Sequence, residues 1–232
     1  MSFRNKLQYF LVRKLRISNK EVQTLLLNKK IWVNGNQTCS NVKIEPEDEI
    51  IYQNVILQKS KVFTTIAFYK PRGIETTLNK KINDNLASIL PFDDVFPIGR
   101  LDKDSEGLLL LSNDGRLYDR ILRNENKTEK EYVVKVNRPF DNEFLDKMAN
   151  GIEIMGKNTL PCMINRVDNI TFKIILIQGL NRQIRRMCYK LGYEVTFLLR
   201  KRIGNLNIKN LKPLEWRLID KHEIFEKRII FN

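Results

Sequence analysis

The sequence predicts an α+β protein in two parts: a small domain over residues 1–58, a short linker at 59–62 and a larger domain over 63–232. Three features predict it. Two short amphipathic stretches at the start lead into a tight hairpin signal, a polar run from Gln58 to Lys61 breaks the pattern, and β-rich runs dominate from Val62 onward.

Over residues 4–15, Leu7, Phe10, Leu11 and Leu15 recur at helical spacing, with Lys6, Arg13 and Lys14 among the other positions. Ser18 is placed to cap a second helix that carries Lys20 and a stripe of Val22, Leu25 and Leu26. Ile31-Trp32-Val33 and the Asn34-Gly35 turn predict a hairpin, and an acidic patch from Glu45 to Glu49 precedes a strand at Ile50-Ile51-Tyr52.

In the larger part, residues 62–69 read as a strand ending in the turn Lys70-Pro71-Arg72-Gly73. Leu108 to Leu111 reads as a buried strand closed by Asn113-Asp114-Gly115. A short helix over 117–123 and a strand over 130–136, with Tyr132 near its start, come next. Asp141 caps a helix that stops at Gly151, and 171–177 is a further strand. The run from Gln178 to Tyr193 predicts a helix capped by Asn181, with Ile184, Met187, Cys188 and Leu191 on its inward face. A β-rich segment near 194–199 and a charged, helix-like tail complete the chain.

Composition narrows the function. The chain has 232 residues, 42% hydrophobic and 29% charged, as a globular protein should. Its 41 Lys+Arg against 27 Asp+Glu give a net charge of +14, which points to a polyanionic partner, nucleic acid first. The opening MSFRNKLQYFLVRKLRI is too interrupted by charge for a signal peptide, and no run reaches the ~20 apolar residues of a membrane span, so a cytoplasmic protein with no membrane partner is expected. Cys39, Cys162 and Cys188 lack metal-ligand spacing and are expected to be buried, reduced thiols. His222, the only histidine, lies in the charged tail, which argues against zinc chemistry and against Ser–His or Cys–His nucleophile pairs.

Two stretches concentrate chemistry. In FPIGRLDKDSEGLLLLSNDG, Asp102 sits on a loop that leads into a rigid strand, between Arg100 and Lys103. By residue type alone this is either a solvated turn or a carboxylate suited to act as a nucleophile or a base. In QGLNRQIRRMCYKLGY, Arg182 and Arg186 point away from the core, while Arg185 lies at the edge of the apolar stripe, half-buried and in need of an anionic partner. Cations near a helix amino terminus oppose its dipole, a conflict that marks functional sites, although outward arginines also make ordinary solvated faces.

The string GRLDKDSEGLLLLSNDG strongly resembles the signature of the RsuA/RluB/RluE/RluF family of RNA pseudouridine synthases. KEY around Tyr132, LNRQIRRM around Arg185 and the Lys-Pro-x-Gly turn at Lys70 resemble its further motifs in order. The Leu-x-Arg-x-Arg-Ile and Pro-Leu-x-Glu-Trp-Arg strings resemble the RluF branch, and the two basic helices with KKIWVNGNQ resemble the S4 RNA-binding domain, with Asn19-Lys20 where many relatives carry Arg-Arg. The resemblance implies a mixed, largely antiparallel sheet flanked by helices, with an RNA cleft across it. It implies Asp102 as the catalytic aspartate, Arg185 as its ion-pair partner and Tyr132 as the residue that stacks on the base. Arg100 would fill the vacated stack or hold a phosphate. Lys70, Arg72, Lys103, Arg182 and Arg186 would grip RNA in the larger domain, and Arg13, Lys14 and Lys20 in the smaller.

The reaction so implied turns uridine into pseudouridine without metal or cofactor. Its expected substrate is 23S ribosomal RNA, free or in a large-subunit assembly intermediate, with tyrosine tRNA as a second target, and the enzyme is expected to be a monomer. Two rival readings use the same residues: a noncatalytic S4-type RNA-binding or ribosome-assembly protein, and a metal-dependent nuclease built on Asp102, Asp104 and Glu106.

Overall fold

The computed structural model describes residues 3–123 and 128–225. The chain divides into two compact units, one ending at Phe63 and the other beginning at Thr64.

In the first unit, α1 (Leu7–Leu15) and α2 (Asn19–Leu27) each bury one stripe, Leu7 and Leu11 on the one, Val22 and Leu26 on the other. Ser18 and Glu21 cap α2 reciprocally: Glu21 N–H donates to the Ser18 hydroxyl at 3.3 Å, and Ser18 N–H to the Glu21 carboxylate at 2.8 Å. Strands β1 (Ile31–Val33), β2 (Asn36–Thr38), β3 (Ile50–Tyr52) and β4 (Val55–Gln58) form an antiparallel sheet in the order β2-β1-β3-β4. Asn34 and Gly35 take the positive φ values that the tight β1–β2 turn requires.

The polar run from Gln58 to Lys61 bonds back to the acidic turn. Gln58 Nε2 donates to the carbonyls of Glu45 and Asp48 at 2.8 Å, Ser60 Oγ to Glu47 O at 2.6 Å, and Lys61 N–H to Pro46 O at 3.2 Å. Its polar groups satisfy backbone carbonyls that a turn leaves unpaired. Cys39 is exposed, not buried, because it follows β2, the edge strand of this sheet. Cys188 is buried, its thiol pushed up to about 12 by that burial, and Cys162 is half-buried.

The second unit is built on one large sheet of β5 (Thr65–Lys70), β6 (Phe96–Ile98), β7 (Glu106–Ser112), β8 (Lys130–Val136), β11 (Met163–Arg166), β12 (Thr171–Leu176), β13 (Val195–Ile203), β14 (Leu206–Asn207) and β15 (Trp216–Leu218). Its main path runs β11-β12-β8-β13-β7-β5-β15, with β14 beside β13 and β6 beside β7. A separate hairpin pairs β9 (Glu153–Ile154) with β10 (Lys157–Asn158). Helices α3 (Gly115–Leu122), α4 (Asn142–Asn150), α5 (Gln183–Lys190) and the short α6 (His222–Phe225) accompany the sheet, and the rest of the charged tail lies outside the described residues.

The sequence reads cleanly where both faces of a strand are covered. Leu108 and Leu110 of β7 pack with Ala67, Leu117 and Ile121 on one side, while Leu109 and Leu111 pack with Ile66 and Phe68 on the other. That is why four leucines in a row form a strand instead of an alternating pattern. Each such side chain contributes about 1.5–3 kcal/mol by leaving water. The first strand starts at Thr65, later than the predicted Val62, which is exposed.

The pairing of β13 with β7 is parallel, whereas the other pairings of the sheet are antiparallel. At this junction Arg200 is in register with Gly107. Gly107 has φ +109, and a Cβ there would overlap the backbone oxygen of Arg200. Only glycine admits both the conformation and the approach. The loop that carries Asp102 enters β7 just before this point.

Candidate active site

The loop from Arg100 to Ser105 has no secondary structure of its own, so its shape rests on partners for its carbonyls. Each one has a partner. Arg200 Nη1 donates to Arg100 O at 3.3 Å, Thr76 Oγ1 to Leu101 O at 2.6 Å and Ser105 N–H to Asp102 O at 3.0 Å. Gly73 N–H donates to Lys103 O at 2.8 Å, Arg185 Nη2 to Asp104 O at 2.9 Å and Lys70 Nζ to Ser105 O at 2.8 Å. Partners on β5, β13 and α5 and in the turns between them thus fix the main chain on which Asp102 stands.

The carboxylate of Asp102, partly exposed, opens into a cleft of about 510 Å³. Its charged neighbour is Arg182, whose Nη1 lies 3.8 Å from Asp102 Oδ2 and 3.7 Å from Asp104 Oδ2. This corrects the expected pairing of Asp102 with Arg185. Arg185 is half-buried as predicted, but its fork is spent on Val195 O at 3.0 Å and Asp104 O, with Ser105 Oγ at 3.4 Å. Burial lowers its pKa and the nearby charge of Arg182 acts the same way, while Asp104 and Asp102, near enough to be felt though not ion-paired with it, act against them. The reason is geometric: Arg182 takes a left-handed conformation, φ 50 and ψ 35, at the N-cap of α5, and this position ahead of the first turn brings it to both carboxylates.

Asn181 therefore does not cap α5, which also corrects the prediction. Its side-chain oxygen accepts from Arg186 Nη2 at 3.2 Å, and its backbone oxygen from Arg186 Nε at 3.1 Å. Buried Gln183 holds the turn instead, accepting from Leu180 N–H at 3.0 Å. The left-handed Arg182 has no side-chain cap to offset the strain, and residues held in sparsely populated backbone regions concentrate at functional sites.

Tyr132 is half-buried on β8, packs against two of the hydrophobic cores and lines the cleft with Asp102. Directly across the ladder, in register with it, stands Arg200 of β13. Sequence reasoning did not single out this arginine or Lys130. Arg200 is 3% exposed, donates from Nε to Leu108 O at 2.7 Å, and has an Nη2 with no hydrogen-bond partner. Lys130 is buried beside the cleft with its Nζ on Thr128 O at 3.0 Å, and burial followed by the charge of Arg200 lowers its pKa to about 8. The available signal was an arginine in the inward phase of a strand, between Leu198 and Ile203.

The remaining candidates divide by place. Lys70 is fully buried, bonded to Pro71 O and Ser105 O, with its pKa lowered to about 8 by burial. The resemblance suggested an RNA grip, but the side chain is enclosed beneath the loop and supports the Ser105 carbonyl there. Arg100, Arg72, Arg182 and Arg186 are exposed, and Lys103 is exposed but paired with Asp84 at 3.2 Å. Arg13, Lys14 and Lys20 are exposed on the helices of the first unit.

The carboxylates of the nuclease reading are not gathered. Glu106 accepts from the Tyr69 hydroxyl at 2.6 Å while Asp102 and Asp104 face Arg182, and among the described residues no group of three or more His, Cys, Asp or Glu comes together as a metal site. Nor does any described helix have the length and apolarity to cross a membrane.

A carboxylate on a held loop, an aromatic ring lining the same cleft and a basic rim suit a site that takes a nucleic-acid base. Comparison with known proteins gives the class a family. Residues 64–190 match the model of the RNA pseudouridylate synthases. The chain is 37% identical over 212 residues to the dual-specificity RNA pseudouridine synthase RluF of Escherichia coli K12, covering 90% of this chain and 73% of that one. It is 28% identical over 224 residues to the ribosomal large subunit pseudouridine synthase B of Bacillus subtilis, covering 92% and 91%. A crystal structure of a pseudouridylate synthase superposes with a TM-score of 0.67 at 25% identity, over 94% of this chain and 97% of that one. The chain belongs to the RNA pseudouridine synthases. It is an isomerase that converts uridine in RNA to pseudouridine.

Proposed function

We propose that this isomerase acts on large-subunit (23S) ribosomal RNA in the manner of its RluF relative, with a uridine of tyrosine tRNA as a second substrate, and that Asp102 carries the reaction. The observation behind this reading is the placement of the Asp102 carboxylate in the cleft, on a loop whose every carbonyl is held, with the Tyr132 ring lining the same cleft. The name of the Escherichia coli relative, a dual-specificity enzyme, and that of the Bacillus relative, a ribosomal large-subunit enzyme, support the choice of substrates. A substrate made in the cytoplasm makes that the enzyme's place of work.

The reaction breaks the bond from ribose C1′ to uracil N1 and forms one from C1′ to C5. A proton leaves C5 and N1 gains one, so the sum is balanced with no oxidant, reductant or outside energy. The target base has to leave its stack, at a cost of about a few kcal/mol. In this reading Tyr132 stacks on the extruded base and Asp102 begins the chemistry, as a nucleophile or as the base that assists bond cleavage. Arg182 balances its charge, Arg185 and Lys70 hold its loop, and Arg100 sits on the exposed rim, where it fills the gap left in the RNA or holds a phosphate.

We assign the first unit to RNA binding as an S4-like module. Its helices expose Arg13, Lys14 and Lys20, and phosphate contacts of this kind supply sequence-independent affinity. Replacing all three with glutamine is expected to flatten the dependence of binding on salt by roughly 0.7–0.9 log units per decade for each phosphate no longer neutralised.

The deciding assay follows uridine-to-pseudouridine conversion in unmodified 23S rRNA and tyrosine tRNA transcripts, with wild type beside Asp102→Asn and a chelator present throughout. Wild type is expected to convert and the variant to bind without converting. Bound but unconverted RNA with both proteins would favour the noncatalytic S4 reading.

A further inference from the structure

Arg182 and Arg185 line two hollows. One is the cleft that holds Asp102. The other, about 670 Å³, lies on their outer side between α5 and the turn of the β9–β10 hairpin. The chemistry proposed for the first makes no use of the second.

The lining of the outer hollow is basic and carries aromatic and thioether side chains. Arg186, Tyr189 and Lys190 recur at i, i+3 and i+4 along the exposed face of α5. Tyr189 is 80% exposed, so its ring contributes nothing to the core, while Tyr193 beneath is anchored edge-on to Phe144 at 4.6 Å. Met155 faces the hollow from the hairpin turn, 63% exposed, and thioether sulfur packs well against flat rings. The lining sets five cations against two carboxylates, and one of those, Asp104, is already paired with Arg182. The cations are also oriented in advance: Arg186 is held by Asn181 through two bonds, and Arg72 Nη1 lies 3.4 Å from Thr196 O. A merely solvated basic helix face needs neither a hollow nor an exposed aromatic residue.

We propose that this hollow is a subsite for one further RNA nucleotide, a neighbour of the target uridine in the chain, with Tyr189 stacking on its base and Arg72, Arg186 and Lys190 at its phosphate. The inference rests on the target uridine entering the Asp102 cleft. RNA drawn out of its stack to present that uridine unstacks its neighbours too, and a ring that takes up one of them recovers part of the cost. Such stacking is tolerant of base identity, so the subsite adds affinity and register rather than sequence choice.

The test uses the full chain and the single-stranded pentanucleotide AAUAA, whose lone uridine fixes the register, together with versions carrying an abasic site on either side of that uridine. Tyr189→Ala is expected to weaken binding roughly 5- to 150-fold, the range for loss of one base–aromatic stack, and Tyr189→Phe to bind as wild type does. The Tyr189→Ala loss should vanish when the abasic site falls on one particular side. On any RNA that wild type converts, the alanine variant should show a raised KM with kcat retained at saturation. The subsite is overturned if alanine binds as tightly as wild type, if phenylalanine fails equally, or if the alanine effect persists with both abasic versions. Because the pentanucleotide arm measures binding alone, failure to convert 23S rRNA would count against the proposed target and leave this test standing.

Discussion

Arg185 Nη2 donates to the backbone oxygen of Asp104 at 2.9 Å, while Arg182 is the arginine that approaches the carboxylate of Asp102. The two arginines divide the work: one fixes the main chain, the other supplies the opposite charge. Arg185→Lys keeps a cation but cannot bridge Asp104 O and Val195 O together, because an ammonium lacks the planar fork. Its kcat is expected to fall about 100-fold, the scale of a misplacement near 1 Å, with KM little changed. Full activity in the lysine variant would mean that charge alone matters at this position.

Lys70 yields a pH dependence. Its pKa is lowered to about 8 by burial, whereas an unfolded lysine titrates near ~10.4. Between these values the unfolded chain binds a proton that the folded chain has released, so this group makes stability rise with pH across that window. Below about pH 8 the buried charge works against folding. Urea unfolding of wild type and Lys70→Met at about pH 7 and about pH 9.5 is expected to show the wild-type advantage growing at the higher pH. An unchanged difference would mean that Lys70 keeps its proton throughout.

Arg200 is buried with an unpartnered Nη2, opposite Tyr132. Removing this buried charge relieves its desolvation, which offsets the loss of its bonds to the Leu108 and Arg100 carbonyls. Arg200→Met is therefore expected to melt within a few degrees of wild type, yet to lose roughly 10- to 100-fold in kcat as the support at Arg100 O disappears. The contrast between a melting curve and a kcat measurement separates a positioning residue from a structural one. Equal losses in both would make it structural.

Gly107 is the most demanding position of the sheet. An alanine there would carry φ +109 and drive its Cβ into the Arg200 backbone where β7 meets β13. Gly107→Ala is expected to destabilise the protein by more than about 1 kcal/mol, the usual gain from a compatible Gly→Ala change turned to a loss, readable as a lowered melting temperature. Wild-type melting behaviour would show that the parallel junction can open without cost.

Much of the fold was legible because its signals are local. The Ser18 and Asp141 caps, the Asn34-Gly35 turn and the leucine run of β7 are written in adjacent residues, and they appear where the sequence put them. What the QKSK run bonds to was not legible, because its partners on the acidic turn lie well back in the chain. In the site, Asp102 and Tyr132 were found through motif resemblance, and the structure brings them to one cleft. Arg200 and Lys130 were missed: each belongs to a strand, and what makes it unusual is its burial rather than its neighbours in the chain.

By itself the sequence determined the class of chemistry and put forward a carboxylate for its centre, because composition and motif are properties of the chain. Only the tertiary structure decided which arginine does what. Arg182 and Arg185 stand three residues apart on one short stretch, and the left-handed turn at Arg182 sends one guanidinium to the carboxylates and the other to the main chain of the loop. The same holds for Lys70, a surface grip by resemblance and a buried prop in fact. A side chain's role depends on where its end arrives, and that is set by backbone dihedrals and packing summed over residues far apart in the sequence.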